Sequence, residues 1–328
     1  MKPFKTIDQQ IDMLKDRGLL IDLKSTKEIL FKEGYYNIIN GYKDIFLNDT
    51  YEEQFSKGTR FSDIYTLYHF DNLLRDSILN VCISIESIIK TVISYYISYE
   101  YGICESVYLD RRKYRTGRVI TTTNGKKYEI DAVIDNLKHL KNSNDEPFKH
   151  YKDKHGHIPA WVLLKGANFW TVKTFFKLLN KDMKSAITAK LLDKNIDYIT
   201  EDDKQFLSDL IQIIYKFRNC AAHGGRMYNL NIKTRKVSSS IKYYKPFHDQ
   251  MNVSSSQYSL GYGQSDFYAF YFAVKELLPN NEYQVFNGTI INMLKIIKER
   301  YNHRYILILR KMGVPEHMLD IPEEAIFK

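Results

Sequence analysis

The segment Arg218-Asn219-Cys220-Ala221-Ala222-His223 places a permanent cation and a titratable base five positions apart, and Gly224, Gly225 and Arg226 follow at once. Arginine presents a planar fork of donors that suits a phosphate. Histidine trades protons near neutral pH. The pair is sufficient for cleaving RNA without a metal. The 2′-hydroxyl supplies the nucleophile, so the protein has only to position groups, shuttle protons and stabilise charge. In helical geometry Asn219 and His223 share one face a turn apart, with Arg218 at its flank. His223 falls in the last turn, where unpaired carbonyls attract a cation. A plainer account competes: a histidine before Gly-Gly is a favourable C-terminal helix residue, and the arginine is a surface charge. A second Arg-to-His spacing, Arg310 to His317, is broken by Gly313 and Pro315, and Pro315 prevents a continuous helix.

Other catalytic templates are missing from the sequence. It has no glycine-rich phosphate loop, no HExxH, no GxSxG and no clustered Cys/His ligand set, so neither a metal nor a cofactor is expected. His155-Gly156-His157 reads as a polar surface loop. Glu86 precedes Lys90 by four residues, the spacing of a surface ion pair on a helix.

The elements that must position the motif are mainly helical. Thr6-Ile7-Asp8-Gln9 reads as a capping box, with Ile7, Ile11 and Leu14 on one face and Gly18 as the stop. A short helix is expected over 25–33. The strongest periodicity runs from about 63 to 101, where Leu67, Phe70, Leu74, Ile78, Val81, Ile85, Ile88 and Val92 recur at steps of three and four. Further helices are expected over 161–164, 169–179, 182–192, 203–223 and within 265–312. In the motif helix Phe206, Leu207, Leu210, Ile213, Ile214 and Phe217 form the buried face. Segment 141–157 reads as a polar stretch after which helices resume, and 231–262 as irregular, marked by Ser238-Ser239-Ser240 and Ser254-Ser255-Ser256.

Residues 111–130 break the helical pattern. Val119–Thr123 and Lys126–Ile130 flank Asn124-Gly125, a dipeptide whose residues tolerate positive φ, so a β-hairpin is expected. Its cations, Arg111, Arg112, Lys113, Arg115, Arg118, Lys126 and Lys127, together with Arg226, are candidate RNA contacts. A charged two-stranded protrusion is more often a solvated insertion. The division expected is a helical domain over 1–245 containing the hairpin, and a C-terminal helical extension over 246–328.

The chain carries 48 Lys plus Arg against 39 Asp plus Glu, a net charge of +9 that favours polyanionic partners without naming one. Its 26 tyrosines offer faces on which unpaired bases stack, although a chain rich in Lys, Ile, Asn and Tyr is also the product of an AT-rich genome. Cys82, Cys104 and Cys220 are too scattered for a disulfide framework or a zinc site, which fits a reducing cytoplasm. The most apolar stretch, 77–104, is interrupted by Glu86, Lys90 and Glu100, so no membrane span is expected.

Several stretches in one order resemble the Abi family of abortive-infection proteins, the AbiD/AbiF-like group. They are Lys2-Pro3-Phe4, Gln10-Ile11, Leu14-Lys15-Asp16-Arg17-Gly18, Gly34-Tyr35-Tyr36, Gly41-Tyr42, the run from Leu67 to Arg75, Ile85-Glu86, Pro159-Ala160-Trp161, and the run from Phe217 to Arg226. The resemblance covers roughly residues 2–230. It implies a bundle of the HEPN superfamily of ribonucleases and RNA binders, with Arg218 and His223 in a composite site, Asn219 at the polar position after the arginine, and Glu86 orienting the site. It also implies a homodimer in which two motif copies meet, products ending in a 2′,3′-cyclic phosphate and a 5′-hydroxyl, and antiphage defence as the setting. A restraining noncoding RNA is compatible with it. The competing class is a non-catalytic RNA-binding or interaction module of a toxin–antitoxin or defence system. A structural oligomer with no nucleic-acid partner is a third.

Overall fold

The computed structural model describes residues 3–48, 53–122, 125–231, 241–301 and 304–327. The fold is mainly α, and the described residues hold one two-stranded sheet. The chain packs as two compact units. The first comprises Met1–Ile78, Cys220–Leu230 and Val285–Lys328; the second comprises Leu79–Asn219 and Asn231–Gln284. The segment beyond 245 therefore contributes to both. Three long helices, Phe61–Tyr101, Glu201–Ala222 and Asn280–Tyr301, each supply residues to both units.

In the first unit, Thr6 Oγ1 accepts from the Gln9 N–H while Gln9 Oε1 accepts from the Thr6 N–H, the reciprocal cap its sequence predicts. Helix Ile7–Asp16 then runs to Gly18, whose φ of +81° suits the left-handed stop. Helix Leu23–Glu33 follows, capped by Asp22. The core collects Ile11, Leu14, Ile38, Ile39, Phe46, Ile64, Leu67 and Leu74 with Leu294, Ile297, Ile308 and Leu309 from the C-terminal helices. Arg300 pairs with Asp63 at 2.7 Å, which fixes a C-terminal helix to the start of the long one.

By length and apolar composition, helix Phe61–Tyr101 could cross a bilayer despite its charges. One of its faces is buried within the protein. Ile85, Ile89, Ile93 and Ile97 are all fully buried in the second unit, at the four-residue spacing of one helical face. They share that core with Val133, Leu137, Val172, Leu207, Ile211, Ile214 and Phe217. Helix Phe267–Leu277 is apolar around most of its circumference, with Phe267 through Val274 all buried, so it lies inside the unit rather than on its surface. Phe217 of the motif helix stacks on Phe270 with centroids 4.3 Å apart.

Asp266 caps that helix by accepting from the Ala269 N–H at 2.8 Å, and burial pushes its carboxyl up to about 7. Below about pH 4 both folded and unfolded chains hold this proton. Between about 4 and 7 the unfolded carboxyl ionises first, so the folded state binds more protons and stability falls as pH rises. Asp266→Asn keeps the accepting oxygen and removes the titration. Its melting temperature relative to the unmodified chain should rise from pH 4.5 to 7.5, by the equivalent of about 1 kcal/mol or more. A constant difference across those two pH values would contradict this.

The hairpin pairs strand Val119–Thr122 with strand Gly125–Tyr128, in the register Val119 to Tyr128. Thr123 and Asn124 lie outside the described residues. The second strand ends two residues before the sequence reading placed its end. Glu129 opens helix Glu129–Lys141 because Ile130, Val133, Ile134 and Leu137 fall at helical, not alternating, spacing. The polar stretch 141–157, after which helices are expected to resume, itself contains helix Phe148–His155 with Gly156 in the left-handed conformation at its end. Segment 231–262 contains short helices Lys245–Gln250 and Ser255–Ser259, and Ser238, Ser239 and Ser240 lie outside the described residues.

Candidate active site

The motif helix Glu201–Ala222 ends one residue before His223. Gly224 N–H donates to Ala221 O at 3.2 Å and Gly225 N–H to Cys220 O at 2.8 Å, the paired bonds of a Schellman stop with His223 as the C-cap. Gly224 has a φ of +72°, which penalises any side chain. A Cβ on Gly225 would lie 2.1 Å from Cys220 Sγ, so the chain can turn this tightly only over glycine. The two glycines thus present His223 at the helix end with its imidazole exposed.

Arg218 and Asn219 belong to the second unit. There Arg218 Nε stands 3.5 Å from Glu86 Oε2, and Arg218 Nη1 lies 3.5 Å from Asn219 Oδ1. Glu86 is 7% exposed, and its other oxygen pairs with Lys90 at 2.7 Å. The pair with Lys90 is present, but it is not the surface ion pair its spacing suggested: the carboxylate is buried between two cations. Arg218 Nε is buried and makes no hydrogen bond. The two observations agree physically, since charge attraction tolerates a separation and angle that a hydrogen bond does not. Cys82 is buried near this cluster, where burial pushes its thiol far above the usual range.

His223 and Arg226 belong to the first unit. The loop that carries them is locked by Asp71, which is fully buried on the long helix. Asp71 accepts from the Tyr42 hydroxyl at 2.6 Å, from the Tyr228 N–H at 2.7 Å and from the Met227 N–H at 3.0 Å. Burial pushes its carboxyl upward while those donors pull it down, and burial dominates. Tyr42 also stacks on Tyr228, with centroids 6.0 Å apart.

Above this lock is a cleft of about 510 Å³ lined by Tyr36, Asn37, Asn40, Tyr68, Arg75, His223 and the Gly224–Arg226 turn, among others. Arg226 Nη1 donates to Gly41 O at 2.5 Å. His223 and Arg75 make no hydrogen bond or ion pair to a described residue. The π-helical turn Tyr36–Asn40 buries Ile38 and Ile39 completely and leaves Tyr36, Asn37 and Asn40 exposed. Such turns often mark functional sites. Tyr36, Asp71 and Arg75 lie in stretches that carry the family resemblance, but neither they nor Asn40 are given a role by the sequence. A carboxylate on the apolar face between Leu67 and Leu74 is the signal that could have found Asp71, because a buried charge requires partners.

Several hairpin cations are already neutralised. Arg111 pairs with Asp131 at 2.6 Å, Arg112 with Asp110 at 2.7 Å and Lys127 with Asp135 at 2.7 Å. Lys113 Nζ sits 4.4 Å from the Tyr101 ring centre. Arg118 approaches Glu129 only to 3.8 Å, and Arg115 and Lys126 are exposed with no ion pair among the described residues.

A helical protein with an Arg/His motif at a glycine-stopped helix end is the class these features define. The family described as Abi-like protein matches residues 28–229, and the chain belongs to it. The opening stretches at 2–18 fall outside that match. Membership points to abortive-infection defence. No curated protein and no solved structure matches the chain.

Proposed function

We propose that this protein is a metal-independent endoribonuclease of the HEPN type, acting in abortive infection. The observation that carries the reading is His223: exposed, without a partner among the described residues, and lining a cleft with two guanidinium groups. His223 takes the proton from the 2′-hydroxyl or gives one to the leaving oxygen. Arg218 holds the scissile phosphate and stabilises its charge, Asn219 flanks it, and Glu86 positions the guanidinium. The 2′-oxygen bonds to phosphorus as the bond to the 5′-oxygen breaks, giving a 2′,3′-cyclic phosphate and a 5′-hydroxyl. One chain supplies one histidine, whereas the reaction uses an acid and a base. A homodimer supplies the second copy. Arg226, through the donors that its bond to Gly41 leaves over, and the hairpin cations Arg115, Arg118 and Lys126 add phosphate contacts, and a structured noncoding RNA is the proposed restraint. The protein acts in the cytoplasm, away from membranes.

A non-catalytic RNA-binding module is the second reading. It is favoured by one observation, the engagement of the Arg218 guanidinium by Glu86. Single-stranded RNA offered to the purified protein in excess chelator separates the two. The nuclease cuts it, and the module binds without cutting.

A further inference from the structure

Arg75 has no role in the motif, yet it lines the His223 cleft and makes no hydrogen bond or ion pair to a described residue. Asp71, the acid one turn earlier on its helix, is fully buried and occupied by Tyr42, Met227 and Tyr228. Its carboxylate is attracted to the Arg75 charge, but the two form no ion pair. The other guanidinium, on Arg226, is tied to the Gly41 carbonyl and shapes the wall. Arg75 feels the negative charge of Asp71 but makes no hydrogen bond or ion pair to a described residue, so its guanidinium donors can meet an anion.

The π-turn supplies the complement. Tyr36 is 76% exposed, although its neighbours Ile38 and Ile39 are fully buried, so the fold anchors the turn and holds the ring out at the cleft. Asn37 donates its amide to the Glu33 carbonyl at 2.8 Å, which leaves its side-chain oxygen to accept. The Asn40 amide is exposed with no hydrogen bond to a described residue. An open aromatic face stacks a base, amide edges read its polar rim, and a free guanidinium forks onto phosphate. The cleft, at about 510 Å³, falls within the range of about 300–1,000 Å³ typical of small-ligand sites.

We propose that this cleft is a subsite for one unpaired nucleotide of an RNA strand, with Tyr36 stacking the base, Asn40 contacting its edge and Arg75 holding its phosphate. It rests on the ribonuclease reading for the identity of the strand as RNA, and on the cleft alone for the nucleotide. Arg75 here is a substrate-holding residue, which acts on binding rather than on the proton transfers.

The test is equilibrium binding of a labelled 2′-O-methyl single-stranded decamer, which cannot be cleaved, alongside cleavage of the matching 2′-hydroxyl strand. Arg75→Ala and Tyr36→Ala should each weaken binding at least about tenfold, and Arg75→Lys should restore part of it. Arg75→Ala should also lower the slope of log affinity against log salt by about 0.7, a change that misfolding would not produce. In cleavage, both variants should raise KM more than they lower kcat. Arg310→Ala, in an exposed pair with Glu316, should bind as the unmodified chain does. Should Arg75→Ala fail to fold, Tyr36→Ala decides, since its ring is exposed. Unchanged binding by both variants overturns the subsite, whether or not the protein cuts RNA. Arg75-dependent binding without cleavage supports the subsite and overturns the ribonuclease reading. Tighter binding of a free mononucleotide than of the decamer overturns the strand as occupant.

Discussion

His223→Ala and Arg218→Ala should each reduce RNA cleavage by at least about 100-fold, while Arg310→Ala leaves it unchanged. The expected size follows from the two roles. A positioned proton-transfer group contributes about 10²–10⁴-fold, and one charge-stabilising donor about 10²–10³-fold. Arg218→Lys should recover little, because a point charge cannot reproduce the planar fork. Removing Arg218 also leaves Glu86 buried with Lys90 as its remaining partner. A melting curve should therefore accompany each assay, so that lost stability is told apart from lost chemistry. His223 is exposed at the helix C-cap, and its truncation should leave the melting temperature nearly unchanged. Cleavage retained within about tenfold in both variants would remove the motif from the mechanism.

The largest effect on stability is expected at Asp71. Asp71→Ala strands three buried donors, the Tyr42 hydroxyl and the Met227 and Tyr228 N–H groups. Each buried donor left unpaired costs about 1–3 kcal/mol. The sum, with some relaxation, is about 3–5 kcal/mol, at the upper end of what a single substitution does. Asp71→Asn keeps one of the two accepting oxygens, enough for the Met227 and Tyr228 N–H groups that share Oδ1, and should lose less. The lock also holds the loop that follows His223, so even folded Asp71→Ala should bind RNA more weakly. Urea unfolding checks the first expectation, and a loss below about 1 kcal/mol would contradict it.

The parts of this fold that were legible in the sequence are those whose signal is local. Thr6 and Gln9 specify their cap within four residues, and the long helix repeats its apolar positions over roughly ten turns. The glycines after His223 mark a helix stop wherever they occur. Helix Glu129–Lys141 was hidden because Ile130 fits both the end of an alternating strand and the start of a helical stripe. Helix Phe148–His155 has one buried residue, Phe148, and so almost no periodicity to read. The cleft was beyond reach for a different reason. It joins residues 36–42, 68–75 and 223–226, and no local pattern reports which distant segments share a core. Glu86 illustrates the same point: its four-residue spacing to Lys90 was visible, whereas its second partner, Arg218, is 132 positions away in the chain.

The chemistry at the cut phosphodiester tests the central claim most directly. Purified protein in excess chelator is offered a single-stranded RNA, and the product ends are identified by mass spectrometry. Attack by the 2′-oxygen predicts a 2′,3′-cyclic phosphate on one fragment and a 5′-hydroxyl on the other, and a single 2′-deoxy substitution at the cut site should abolish cleavage there. Cleavage that survives the deoxy substitution, or fragments ending in a 5′-phosphate, would contradict the account.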